Sequence, residues 1–164
     1  MNDSTFYILT IDALSKECKR LCDFTNELDK NPAEKKKHIA EYKCAKYRYA
    51  SLSLIHSTVQ NNQRCRKAHN LKEYHHLLLP FDEILRKHRD YIAAYDSAPE
   101  DEKPDFSLYY AMTAFAQEEI EKLTDNMPLA TDWERVELEE RLGGFYFAKE
   151  CLDEAWNNRK EASL

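Results

Sequence analysis

Apolar side chains recur along most of this chain at alternating intervals of four and three residues, the spacing of one face of an α-helix. The first run predicts a helix from about Thr5 to Leu28. The second run follows residues 31–34, whose Asn, Pro and Glu match an N-cap, a first helical residue and an N3 residue. Its helix is expected to fray near Asn61 and Asn62. The predicted buried faces are Tyr7, Ile11, Leu14, Cys18, Leu21, Thr25 and Leu28 on the first helix and Tyr42, Ala45, Tyr49, Leu52, His56 and Val59 on the second.

Three further patterns predict the rest of the chain. One opens at Asn70 and continues through Pro80 to Tyr95 as a helix kinked at the proline, with a new helix starting at Pro80 as the alternative. Residues 96–105 are acidic and aperiodic and predict a loop, whereas residues 131–134 (Thr-Asp-Trp-Glu) form a capping box that opens the last helix. The predicted buried faces are Leu71, Tyr74, Leu78, Phe81, Leu85, His88, Ile92 and Tyr95, then Phe106, Tyr109, Thr113, Ala116, Ile120, Leu123 and Met127, then Leu138, Leu142, Phe145, Leu152 and Trp156.

Helices of this kind, joined by short connections, predict an all-α antiparallel four- or five-helix bundle that forms a single domain over residues 1–164. Two glycines and five prolines supply too few turns for a β-rich fold. Both glycines, Gly143 and Gly144, fall within the last helical pattern. There we expect a break or bend of the helix, with the close approach of another backbone as the alternative.

The sequence also indicates a compartment. The longest unbroken aliphatic run, residues 77–79, is far shorter than the roughly 18 residues of a membrane span. The N-terminus lacks the positive charge and the cleavage site of a secretory signal. Five cysteines, an odd number without regular spacing, are typical of reduced thiols. We therefore expect a cytoplasmic protein with no membrane partner.

Charge is distributed unevenly along the chain. Residues 35–89 hold thirteen of the 24 Lys and Arg, all six His and only four of the 30 acids, whereas residues 98–164 hold seventeen acids and seven bases. The two segments thus carry formal charges of +9 and −10 in a protein of net charge −6. They can neutralise each other inside the bundle, or they can present separate faces that steer docking onto a partner.

These patterns favour a non-enzymatic helical interaction protein, of the adaptor, inhibitor or immunity type, that docks on a macromolecular partner through charge-segregated helix faces. The expected partner is an acidic protein or a second copy of the chain, with nucleic acid as a further class. Three successive lysines stand where the second helix would begin, and cations there oppose the helix dipole, which indicates a use in binding. The predicted binding residues are Lys35, Lys36, Lys37, Lys43, Lys46 and Arg48.

Residues 64–69 (Arg-Cys-Arg-Lys-Ala-His) hold the one candidate catalytic pair. The Arg64 guanidinium can stabilise charge on a phosphate while the His69 imidazole moves a proton from a ribose 2′-OH. The segment resembles the Arg-x(4–6)-His motif of the HEPN family of helical ribonucleases and nucleotide-binding domains, and it departs from that motif at Cys65, where the family commonly has a polar residue. The resemblance implies an alternative function as a ribonuclease or RNA-binding domain. The residues alone favour a solvated basic turn between helices.

The sequence predicts no metal and no cofactor. Glu73 and His76 have the spacing of two ligands on one helix face, but a di-iron bundle needs a second such motif, which is missing. Cys18 and Cys22 would leave zinc two ligands short, so buried structural thiols are the favoured interpretation. Phosphate-binding glycine loops and nucleophilic serine motifs are also missing. His56 lies on a predicted buried face and is expected to be a hydrogen-bonded core residue.

Overall fold

The structure, a computed structural model, describes residues 3–67 and 89–161, and it describes side chains over residues 3–64 and 93–161. Every regular element in these ranges is helical, which confirms the all-α prediction. None of these helices combines the length and the hydropathy needed to cross a bilayer. The elements are α1 (Thr5–Asp29), α2 (Pro32–Lys37), α3 (Ile39–Lys67), α4 (Arg89–Ser97), α5 (Lys103–Asn126), a 3-10 turn (Met127–Leu129) and α6 (Asp132–Asn158).

The third predicted helix is described only from Arg89, so the expected kink at Pro80 lies outside the described residues. The expected loop is shorter than residues 96–105, because α4 continues to Ser97 and α5 begins at Lys103. Proline is tolerated in the first turn of a helix, where its missing N–H would have no partner in any case. Pro104 stands in that first turn of α5.

Helices α1 and α3 run antiparallel. Gln63, near the end of α3, donates a hydrogen bond to Asp3, just before α1, at 3.0 Å. Farther along the pair, the Glu17 carboxylate lies 3.7 Å from the Arg48 guanidinium. As α1 proceeds from residue 3 to residue 17, its contacts on α3 move back from residue 63 to residue 48, which is the order of an antiparallel pair.

Helices α5 and α6 form a second antiparallel pair. Tyr109 donates to Asp153 at 2.6 Å, and Lys149 donates to Gln117 at 2.7 Å. Desolvation of the phenol, together with its bond to the Asp153 carboxylate, raises the pKa of Tyr109, so its hydroxyl stays protonated. The expected antiparallel packing of chain neighbours is therefore present in both pairs.

The two pairs join along α3 and α6, which run in the same direction. Near the start of both helices, Ala40 and Val136 line the same groove, and farther along Gly144 lies against Arg48 and Ser51. A Cβ atom at Gly144 would lie 2.8 Å from the Arg48 carbonyl oxygen and 2.8 Å from the Ser51 Cβ. The missing side chain of Gly144 thus lets the two helices approach closely.

Helix α6 continues without interruption through both glycines, from Asp132 to Asn158. The expected break or bend at Gly143 and Gly144 is therefore wrong, and the alternative, the close approach of another backbone, describes the structure. Packing against α3 offsets the unfavourable helix propensity of glycine, about 1 kcal/mol for each residue.

The core lies between these four long helices. Its fully buried side chains include several that the periodicity predicted: Leu14, Leu21, Leu52, Val59, Ala116, Ile120, Phe145 and Leu152. In α1, however, Phe6 and Thr10 are buried more deeply than Tyr7 and Ile11, and in α5 Leu108 is buried although it lies off the predicted face. A helix that packs on two neighbours buries a stripe wider than one row of residues, and a strict seven-residue pattern drifts around an ideal helix.

An aromatic cluster closes one end of the bundle. The Tyr109 and Trp156 rings stack with centroids 4.9 Å apart and planes 6° from parallel. Phe6 meets both rings edge-on, at 5.9 Å and 5.5 Å. Stacked and edge-on pairs each contribute about 0.5–1.5 kcal/mol beyond the burial of their area. This cluster ties α1, α5 and α6 together at the end opposite to the starts of α3 and α6.

Two boundaries differ from the prediction. The chain leaves helical geometry at His38 (φ −115°, ψ 32°), so the expected second helix is split into α2 and α3. Helix α3 then passes through Asn61 and Asn62 without fraying and ends at Lys67. Asn62 is only 4% exposed, so it lies on the buried side of α3, where packing holds the backbone helical.

Candidate functional site

The six predicted binding residues lie on α2 and the first third of α3, and we call them the basic face: Lys35, Lys36, Lys37, Lys43, Lys46 and Arg48. Helix α2 begins as the sequence predicts, because the Asn31 side chain accepts a hydrogen bond from the Glu34 N–H at 3.3 Å and Pro32 follows the cap. The split at His38 places the lysine run in the last turn of α2. Cations are favourable there, so the expected conflict with the helix dipole is wrong and lends no support to a role in binding.

Two members of the basic face are bound to α1. The Asp29 carboxylate accepts hydrogen bonds from Lys35 at 3.0 Å and from the Tyr42 hydroxyl at 2.9 Å, and these bonds lower the pKa of Asp29. Arg48 is 29% exposed and lies beside Glu17. A hydrogen bond from Arg20 is the main cause that lowers the pKa of Glu17, and Arg48 contributes as well. Lys35 and Arg48 therefore hold α1 against α2 and α3.

The other four cations, Lys36, Lys37, Lys43 and Lys46, are exposed. Lys37 is paired with Glu34 of its own helix at 3.5 Å. Lys43 lies 5.5 Å from the centre of the Trp133 ring, and Lys46 lies at the same distance from the Tyr42 ring. Within residues 3–64 and 93–161, no ion pair joins the basic face to an acid of α5 or α6. Among these residues, the acidic segment 98–164 does not neutralise the basic face by direct contact.

A groove runs beside the basic face, between the first turns of α3 and α6, and we call it the Trp133 groove. Its volume is about 380 Å³, and it is lined by Ala40, Lys43, Cys44, Tyr47, Trp133, Glu134, Val136 and Glu137. The Trp133 side chain is 79% exposed, and Val136 is 41% exposed. Large exposed aromatic side chains are enriched at interfaces, so this end of the bundle presents the chemistry of a contact surface.

A second cleft of about 420 Å³ lies on the other side of Ala40 and Cys44, between α1, α3 and α6. Phe24, which is 40% exposed, and Arg20 line it. The first turns of α3, which contain Ala40 and Cys44, thus separate the two clefts. Among the residues that the structure describes, aromatic packing thus closes one end of the bundle, and the two clefts lie at the other end.

Sequence reasoning did not select Trp133 as a contact residue, although it recognised the capping box that contains it. The box is present: Thr131 accepts from the Glu134 N–H at 3.4 Å, and the Glu134 carboxylate accepts from the Thr131 N–H at 2.9 Å. A usable signal was available, because Trp133 and Val136 are spaced by three residues and lie off the predicted buried face that begins at Leu138.

The alternative catalytic pair is described only in part. Arg64 is exposed near the end of α3. Because α3 extends to Lys67, residues 64–67 are helical and do not form the expected turn. His69 lies outside the described residues, as do Glu73 and His76. A ribonuclease site formed by Arg64 and His69 therefore stays a prediction.

Two of the described thiols, Cys18 and Cys151, are held in protonated form. Burial is the main cause that raises the pKa of Cys18 to about 11 and that of Cys151 to about 12. A thiol must lose its proton before it attacks a substrate or binds a metal, so both groups are poorly suited to either role at neutral pH. Among the described residues, no group of three or more His, Cys, Asp or Glu is arranged to hold a metal ion.

The chain was compared with protein-family models, curated proteins and solved structures, and none of them matches it. The resemblance to the HEPN motif consequently rests on residues 64–69 and the all-helical setting. The described residues define an all-α bundle in which four lysines of the basic face are exposed beside the exposed Trp133.

Proposed function

We propose that the protein is a non-enzymatic helical interaction protein that docks on an acidic protein partner through the basic face. The proposal rests on one observation: four lysines are exposed at one end of the bundle, without a direct ion pair to α5 or α6 among the described residues. Cations left free of the acidic helices can attract an acidic partner over a distance of roughly one Debye length, about 8 Å at physiological salt.

The surroundings of the lysines support the same proposal. Lys43 borders the exposed Trp133 ring and Lys46 borders the half-buried Tyr42 ring, and such a combination of aromatic side chains and peripheral charge is typical of protein interfaces. In such interfaces the peripheral charges mainly accelerate association, while the aromatic residues hold the complex together. Lys35 and Arg48 bind α1, so we assign them a role in positioning the face rather than in contacting the partner.

The test compares three full-length chains. One is the wild type, one carries K36E, K37E and K46E, and one is a control that carries K19E, K122E and K160E, whose side chains are 77%, 67% and 73% exposed. Lys43 is left unchanged because it also lines the Trp133 groove. Each chain is immobilised and exposed to native cell extract with and without nuclease, and the retained protein is identified, purified and measured for association rate against salt.

We expect an acidic protein to be retained by the wild type and the control, with or without nuclease, and to associate about tenfold or more slowly with the charge-reversed chain at low salt. The thermal midpoint should be similar for all three chains, because exposed charges contribute only about 0–1 kcal/mol each to folding. Equal retention by all three chains, retention that nuclease abolishes, or a wild type that retains no acidic protein would each contradict the proposal.

A further inference from the structure

The Trp133 groove has two walls of opposite charge. On the α3 wall, Lys43 lies beside Tyr47, and on the α6 wall, Glu134 and Glu137 flank the apolar Val136. A partner of a single charge sign would be attracted by one wall and repelled by the other. A partner that suits both walls must itself carry a basic edge, an acidic edge and an apolar centre.

A second copy of this chain has that arrangement. A two-fold axis through the groove places the α3 wall of each protomer over the α6 wall of the other, so that Lys43 faces the partner's Glu137 twice in one interface. The same rotation brings the exposed Trp133 of each protomer over the apolar surface of the other groove, which includes Ala40 and Val136. One set of residues thus supplies complementary charge and complementary apolar area.

We propose that the protein forms a two-fold symmetric homodimer through the Trp133 groove. Trp133 is the central anchor of the interface, because tryptophan contributes more than most residues when it is buried at the middle of a contact. Lys43 and Glu137 set the orientation, because a rotation that places each wall over the same wall of the other protomer brings like charges together. This proposal goes beyond docking on an acidic protein, since it names a different partner, and its surface shares only Lys43 and Trp133 with the one proposed above.

The first experiment measures self-association of the full-length chain by analytical ultracentrifugation across a wide concentration series. We expect a concentration-dependent dimer in the wild type and a dissociation constant roughly thirtyfold higher in W133S, the effect of losing an interface anchor. The matched control is Y146S, because Tyr146 is also an aromatic residue on α6, is 51% exposed and lies about 20 Å farther along the helix. It should dimerise like the wild type.

The second experiment reverses single charges of the groove. Its outcome stays informative even if W133S fails to fold. K43E alone and E137K alone should each dimerise poorly, because each homodimer then contains two repulsive pairs. An equimolar mixture of the two should form heterodimers, since both contacts become attractive in the mixed species. Only an interface between copies that pairs Lys43 with Glu137 predicts this recovery, because contacts within one chain are unaffected by mixing.

A wild type that stays monomeric at every concentration would overturn the proposal. So would a dimer that W133S leaves unchanged, or a mixture of K43E and E137K that associates no better than its components. The chain with K36E, K37E and K46E should still dimerise, because those lysines do not line the groove. Failure of dimerisation and failure of docking on an acidic protein are therefore separate results.

Discussion

Two adjacent glycines show how much depends on the surroundings of a single residue. A Cβ atom at Gly144 would meet the Arg48 carbonyl and the Ser51 Cβ at 2.8 Å, whereas at Gly143 it would meet only the end of the Arg48 side chain, at 3.1 Å. A flexible guanidinium can move aside, but the backbone of a packed helix cannot do so without separating α3 from α6. The two positions should therefore respond oppositely to the same substitution.

We expect Gly144→Ala to lower the free energy of unfolding by about 1–3 kcal/mol, the usual effect of overpacking, in spite of the better helix propensity of alanine. Gly143→Ala is the control and should leave stability unchanged or raise it by up to about 1 kcal/mol. Urea denaturation of both variants measures the difference. Equal stability of the two variants would mean that α3 and α6 are farther apart at this point than the structure shows.

His56 makes a pH-dependent contribution to stability. Its Nε2 lies 2.8 Å from the Ser15 hydroxyl of α1, and burial lowers the pKa of His56 below 6.5. The folded protein therefore favours the neutral ring, and protonation favours the unfolded chain. The contribution of His56 is complete above the unfolded value of 6.5 and declines as the pH falls through the lowered pKa of the folded state.

We expect the thermal midpoint of the wild type to fall between about pH 7.5 and about pH 5.5, on either side of the ordinary histidine value. His56→Gln keeps a polar side chain but cannot be protonated in this range, so its midpoint should fall less. Differential scanning calorimetry of both chains at matched ionic strength measures the two slopes. Parallel slopes would assign the pH dependence to other groups.

At the scale of elements, the start of α6 and the start of α3 are built in different ways. Helix α6 begins at a complete capping box, whose two reciprocal bonds place Trp133 in the first turn. Helix α3 begins directly after the irregular residue His38. The Asp29 carboxylate at the end of α1 binds Lys35, which precedes the interruption at His38, and Tyr42, which follows it. One start is determined by local sequence, and the other is supported by a contact with a neighbouring helix.

Thr131→Ala should reduce the free energy of unfolding by about 1 kcal/mol, because the substitution leaves the Glu134 N–H without its capping acceptor. Thr124→Ala is a suitable control, since Thr124 is exposed and its hydroxyl bonds only the Ile120 carbonyl of its own helix. That change should be neutral or slightly stabilising. Chemical denaturation distinguishes the two, and an equal loss in both variants would show that the capping box is not the cause.

In the molecule as a whole, the two ends of the bundle differ in the side chains that they expose. The stacked rings of Tyr109 and Trp156 close one end with apolar contacts. The opposite end carries the basic face, the exposed Trp133 and two clefts. The two ends therefore differ in chemistry: contacts between rings hold one, and exposed charged and aromatic side chains mark the other.

Patterns in the local sequence were enough to predict the helices and several of their ends. The interactions involved are local: a capping box joins residues three apart, and an apolar stripe needs only the helical period, so Thr131, Asn31 and the buried positions Leu52 and Ile120 could be recognised without a fold. The fold class followed because so few residues could form turns.

Which helices meet depends on contacts between residues that are far apart in the chain. Gly144 is informative because it lies against Ser51, far away in the chain, and no local pattern specifies that pairing. The exposure of Trp133 was decided in the same way, by which helix stands beside α6. Ion pairs also depend on distances between residues that the linear sequence does not give. The charge of each segment therefore could not show that Lys35 and Arg48 bind α1 while Lys36 and Lys46 remain exposed.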